Sequence, residues 1–218
     1  LWMGTFHSIF ARILRVESDK LKYRSNYSIY DREDSQSLVS NIMSNLNINL
    51  ENLSPNGVQH KISFMKNQMI TPEEYLKNIA TTPSDRKLGE IYSEYNKRLF
   101  ENNAMDFDDL LLKPIELFAN NEKVLSKYKK MFKYILVDEY QDTNKAQYEL
   151  LKMLSPLKDK VCVVGDDAQS IYSWRGAEIK NMLNFKKDFK GSKIFRLEQN
   201  YRSTKMILAA ADSVIKNN

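Results

Sequence analysis

The residues most able to do chemistry lie in Ile135-Leu136-Val137-Asp138-Glu139-Tyr140-Gln141-Asp142-Thr143-Asn144. The apolar run reads as a buried strand that ends in two carboxylates. In open α/β sheets, ligands bind at the carboxyl ends of strands. Asp138 would offer hard oxygens to Mg²⁺ there. Glu139 points the other way and can orient an attacking water as general base. That pairing suits metal-assisted hydrolysis of a nucleotide. The same two residues would also open an ordinary polar turn.

A second loop follows the apolar run Val161-Cys162-Val163-Val164. It reads Gly165-Asp166-Asp167-Ala168-Gln169-Ser170-Ile171-Tyr172-Ser173-Trp174-Arg175-Gly176-Ala177. Gly165 allows a tight exit from a strand. Gln169 is neutral and both donates and accepts, so it could report a γ-phosphate. Tyr172 and Trp174 lie two apart beside Arg175. Aromatic faces stack on unpaired bases and Arg pairs with phosphate; core packing is the ordinary alternative for both aromatics. In Asn200-Tyr201-Arg202-Ser203-Thr204, Arg202 could reach a γ-phosphate as an arginine finger and Tyr201 could stack on a nucleobase. The alternative is a surface Arg beside a helix cap formed by Ser203 or Thr204. In Gly4-Thr5-Phe6-His7-Ser8, a strand-to-helix turn would offer amides and hydroxyls to a nucleic-acid phosphate. Two His and one Cys make no zinc or iron–sulfur set. The basic runs at 127–133 and 180–193 read as solvated helix faces.

The elements that must position these residues are of two kinds. A short helix is expected over 8–16. Residues 17–103 then read as an all-helical unit. Leu38, Val39, Ile42, Met43 and Leu46 keep a helical period, as do Leu88, Ile91, Tyr92, Tyr95 and Leu99. Thr71-Pro72-Glu73-Glu74 has the grammar of a helix start. From Asp106 strands alternate with helices: helices over 108–118 and 122–131, a strand over 134–137, a helix over 146–154 capped by Asn144 and Gln147, and a strand over 161–164. A strand over 193–197 and a last helix carrying Ile207, Leu208, Ala211, Val214 and Ile215 complete the pattern. Such alternation predicts parallel pairing with right-handed crossovers. Strands apolar on both faces should be buried between helix layers.

Composition is that of a globular domain, with 42% hydrophobic and 28% charged residues among 218. The net charge of +5 and pI near 9.0 permit a polyanionic partner without demanding one. Residues 1–103 carry 13 Lys/Arg against 12 Asp/Glu, and 104–218 carry 20 against 16, so the excess accompanies the motifs. Cys162 alone can form no internal disulfide. Its apolar setting predicts a buried, inert thiol and a reducing, cytoplasmic compartment. No apolar run nears the roughly 20 residues that cross a bilayer. Leu1 is not an initiator Met, and 1–5 reads like the tail of a strand. The sequence is therefore expected to be an internal piece of a longer chain, and a targeting signal elsewhere on that chain stays open.

These motifs, in this order, resemble the UvrD/Rep/PcrA family of superfamily I DNA helicases. The resemblance is carried by Gly4-Thr5-Phe6-His7-Ser8, Met105-Asp106-Phe107-Asp108-Asp109-Leu110, and residues 137–144, 163–177 and 197–204. It implies α/β architecture: a partial RecA-like parallel sheet flanked by helices, with an all-helical insertion. Residues 1–16 and 104–190 would form part of the first RecA-like ATPase domain. Residues 17–103 would be an insertion gripping duplex DNA, and 191–218 would start the second RecA-like domain. By the same resemblance, Asp138 and Glu139 hold Mg²⁺, Glu139 is also the catalytic base, Gln169 contacts the γ-phosphate, Arg202 is the finger and Tyr201 stacks on adenine. Thr5, Phe6, His7, Tyr172, Trp174 and Arg175 would lie along single-stranded DNA. Ala168 stands where many relatives carry Asp.

The implied activity is ATP-dependent 3′→5′ translocation on single-stranded DNA with unwinding of duplex DNA in repair and replication. The motor of a recombination helicase–nuclease is an alternative. So is, in a different class, a non-catalytic module for single-stranded DNA. The family's Gly-x-x-x-x-Gly-Lys-Thr loop is missing, since no Gly-Lys pair occurs in these 218 residues. The piece alone is therefore expected to lack ATP turnover. The strand over 161–164 should then present an open edge, predicting self-association or a packing substitute around 194–197.

Overall fold

The computed structural model describes residues 1–48, 54–155, 160–173 and 176–216. Helix α1 (Phe6–Glu17) leads to strand β1 (Ser28–Tyr30) and helices α2 (Arg32–Asn45), α3 (Pro55–Asn67), α4 (Pro72–Asn78) and α5 (Pro83–Glu101). Strand β2 (Ala104–Asp106), α6 (Asp109–Asn120), α7 (Glu122–Met131), β3 (Ile135–Val137), α8 (Lys145–Leu154) and β4 (Val161–Val163) follow. The short helices α9 (Ile179–Leu183) and α10 (Phe185–Asp188) precede α11 (Lys205–Ile215). No helix among the described residues is long and apolar enough to cross a membrane.

Local chemistry explains the starts of α2, α3, α4, α5 and α8. Asp31, Ser54, Thr71, Thr82 and Asn144 each accept a hydrogen bond from the backbone N–H three residues on. A cap of this kind contributes about 1 kcal/mol. Pro55, Pro72 and Pro83 occupy first helical positions, where the missing N–H costs nothing. Asn144 and Gln147 form the reciprocal capping box that their spacing predicts.

Four apolar clusters result among the described residues, and two are large. One joins α2, α3, α4 and α5 through Val39, Ile42, Val58, Ile62, Ile91 and Tyr92. The other joins α1, α6, α7 and α8 through Ile13, Leu117, Phe118 and Leu150. The parallel pair β1–β2 sits at the seam, with Ile29 opposite Met105. Residues 17–103 are thus not all-helical: β1 interrupts them. At three residues it is too short for alternation to show in sequence, and its partner lies more than seventy positions away.

The seam is also ionic. Lys66 on α3 is 1% exposed; its Nζ donates to Asp106 Oδ2 at 2.8 Å and to Asp109 Oδ1 at 2.9 Å. Tyr95 on α5 donates to the same Asp106 oxygen at 3.0 Å. Burial alone would pull the Lys66 ammonium down, but Asp106 and Asp109 outweigh it and hold it well above the ordinary lysine range.

Strands β3 and β4 pair in parallel, with Leu136 opposite Cys162 and Val137 opposite Val163. Val137 packs on Tyr140, Leu151 and Phe189. The other face is bare: Leu136 is 77% exposed, and Cys162 is exposed rather than buried. The expectation of strands buried on both faces fails here because helices cover only one side of a two-stranded sheet among the described residues. The expected strand over 193–197 is irregular, with Ile194, Phe195 and Leu197 exposed. Its apolar residues meet no strand to pair with, so it does not supply the packing substitute for the β4 edge. The architecture is therefore α/β with two small parallel sheets.

Candidate functional site

Strand β3 delivers Asp138 and Glu139 to an exposed corner beside the end of β4. Val164 N donates to Val137 O at 2.8 Å and Tyr140 N to Val164 O at 2.9 Å, which locks the two strand exits together. The chain turns sharply at Glu139, whose backbone is left-handed at φ 50° and ψ 45°. For a residue with a Cβ this costs about 1 kcal/mol or more. The turn persists because its surroundings over-determine it. Glu139 N donates to Asp138 Oδ1 at 3.0 Å, and Asp142 N donates to Glu139 O at 3.0 Å. Below it, Thr143 Oγ1 donates to Tyr140 O at 2.7 Å, and Asn181 Nδ2 donates to Thr143 O at 2.9 Å.

Gln141, 1% exposed, ties this corner to the loop after β4. Its Nε2 donates to Glu139 Oε2 at 2.7 Å, and its Oε1 accepts from Asp166 N at 3.1 Å. Asp166 Oδ2 in turn accepts from Gln169 Nε2 at 2.7 Å. Asp138, Glu139 and Gln169 therefore share one hydrogen-bonded corner. Gly165 makes the approach possible: a Cβ there would lie 2.7 Å from Gln141 Oε1.

The corner suits a hard cation. Asp138 is exposed, and only its Oδ1 receives a hydrogen bond among the described residues. Asp142 adds a buried Oδ1 that has no hydrogen-bond partner among the described residues. Burial, then the Glu139 carboxylate, pushes the Asp142 carboxyl up. No group of three or more His, Cys, Asp or Glu that could hold a metal occurs among the described residues. Mg²⁺ needs no such cage, since it binds through one or two carboxylates together with water and substrate phosphate.

The other expected residues are placed as follows. Thr5 caps α1, accepting from Ser8 N at 3.2 Å. Phe6 stacks on Phe10 at 6.3 Å and packs against both the α1–α8 core and the core beneath β3. The His7 ring lies 5.6 Å from that of Phe107, which is exposed, and burial lowers the His7 pKa. Tyr172 is exposed. Trp174 and Arg175 lie outside the described residues. Tyr201 is 93% exposed and Arg202 is exposed. Asn200 Oδ1 accepts from Arg202 N and Ser203 N at 2.9 Å, while Thr204 begins α11 without a side-chain cap. The hydrogen bonds described for residues 193–216 stay within that segment, and none joins Tyr201 or Arg202 to Asp138 or Glu139 among the described residues.

A second connection is absent from the sequence reading. Asn67, at the end of α3, donates to Asp108 Oδ1 at 2.8 Å and accepts from Asn144 Nδ2 at 2.8 Å. The helical body thereby touches the segment that carries Asp138 and Glu139. Burial, then Asp106, pushes the Asp108 carboxyl up to about 6. Gln141 and Asn67 had no role in sequence terms, because a polar residue flanking a turn reads as solvated.

The profile of the UvrD/REP helicase N-terminal domain matches residues 1–190. The chain is 45% identical over all 218 residues to the ATP-dependent DNA helicase PcrA of Bacillus subtilis strain 168, covering 29% of that protein. It is 46% identical over the same span to the PcrA of Staphylococcus aureus strain Mu50, covering 30% of it. The chain thus spans less than a third of the length of the curated relatives it matches, and it belongs to the UvrD/REP helicase family.

Proposed function

We propose that this chain supplies the hydrolytic corner of an ATP-dependent DNA helicase that translocates 3′→5′ on single-stranded DNA in genome maintenance. The observation that carries the reading is the single corner shared by Asp138, Glu139 and Gln169. Asp138 would hold Mg²⁺, which would supply positive charge against the developing charge of the phosphates. Glu139 orients the attacking water and takes its proton. Gln169 senses the γ-phosphate. Arg202 and Tyr201 reach the nucleotide from the second domain beginning near residue 191. Thr5, Phe6, His7, Tyr172, Trp174 and Arg175 line the single strand, and exposed Phe107 beside His7 extends that face. The helical body of 17–103 grips the duplex.

The whole helicase, rather than these 218 residues, is the proposed unit of turnover, because no Gly-Lys pair for a phosphate cradle occurs in them. The test is unwinding of tailed duplexes by the full-length protein with ATP and Mg²⁺. Duplexes with a 3′ single-stranded tail should open and those with a 5′ tail should not. Equal opening of both, or opening without ATP, would overturn the reading, as would Mg²⁺-dependent ATP turnover by the 218-residue chain.

A further inference from the structure

We infer that Gln141 is a positioning residue that couples the loop after β4 to the general base. The inference rests on the reading of Glu139 as that base. One amide holds both sides: Nε2 donates to Glu139 Oε2 at 2.7 Å and Oε1 accepts from the Asp166 amide at 3.1 Å. The orientation of the amide follows from its partners. A carboxylate only accepts and a backbone N–H only donates, so turning the amide over would break both bonds. The residue is 1% exposed, so its own amide is shielded from water.

The Asp166 end leads to groups that meet ligands. Asp166 Oδ2 holds Gln169, and its loop continues to Tyr172. Displacement of this loop by a phosphate on Gln169 or a base on Tyr172 moves the Asp166 amide. Gln141 passes that displacement to the Glu139 carboxylate. Glu139 is responsive because its backbone is held in the left-handed region by neighbouring bonds rather than by its own preference. No other side chain serves both ends. Glu cannot donate to Glu139, Met keeps the volume but bonds neither partner, and Asn is one methylene short. Gly165 belongs to the same device, since a Cβ there would press on Gln141 Oε1 at 2.7 Å.

The experiment measures ATP hydrolysis by the full-length helicase with and without oligo-dT, using Gln141→Met and Gly165→Ala. Affinity for oligo-dT and the melting temperature are followed in parallel. In both variants kcat with DNA should fall about tenfold or more, the loss expected for a bond to a charged group. The stimulation by DNA should fall toward one, while KM for ATP and Kd for oligo-dT stay within about twofold of wild type. Unchanged kcat and stimulation would overturn the inference. A fall in kcat with full stimulation retained would refute coupling. Parallel loss of KM, Kd and melting temperature would make Gln141 merely structural. Glu139→Gln is the control: if that variant turns over normally, the reading of the base has failed instead.

Discussion

Asp108 is a carboxyl whose surroundings disfavour its charge. It is pressed between the helical body and α6, accepts from Asn67, and is pushed up to about 6 by burial and by Asp106. The folded chain therefore holds its proton more tightly than the unfolded chain, whose carboxyl titrates near 3.8. Below the unfolded value both states are protonated and the group is neutral to stability. As pH rises from about 4 to about 6 the unfolded chain ionises first, so folding loses up to about 3 kcal/mol, and the loss then levels off. Asp108→Asn keeps an oxygen for Asn67 and removes the titration. Urea unfolding at pH 4.5 and 7.0 should show the variant gaining stability relative to wild type at the higher pH. A pH-independent difference would count against this. The placement of Asp138 and Glu139 at the end of β3 is legible in sequence because the strand and its acidic end are contiguous. The contacts of Gln141 and Asn67 are not, because their partners lie 25 and 77 positions away.

At the scale of elements, Lys66 fastens α3 to β2 and α6. A buried ion pair contributes little net stability, but removing one partner strands charge in a dry site and costs about 3–5 kcal/mol. Lys66→Met should lower stability by that order in urea titrations, whereas Lys97→Met, on the exposed face of α5, should change it by less than about 1 kcal/mol. Equal effects would show that the seam is not anchored by Lys66. Helix starts were readable because a cap needs only four consecutive residues, as at Thr71 and Asn144. Short strands were not. Strand β1 is fixed by a remote partner, and residues 193–197 have strand-like composition without a partner. Cys162 is exposed where its apolar neighbours predicted burial, because no helix covers that face of β3–β4 among the described residues.

At the scale of the molecule, the uncovered side of β3–β4 places Tyr134, Leu136 and Val164 in water next to the unpaired edge of β4. Contiguous apolar surface beside an open edge favours association. The 218-residue chain should sediment as concentration-dependent oligomers, and Leu136→Glu should shift it toward monomer. A monomer at every concentration would contradict this. Asp138 and Glu139 follow the carboxyl end of β3 in the same sheet. The account stands most directly on Glu139. In the full-length helicase, Glu139→Gln should leave Mg²⁺–ATP binding within about twofold and lower DNA-stimulated turnover by roughly 10²–10⁴-fold, the range for loss of a general base. Turnover within about twofold of wild type would contradict the assignment.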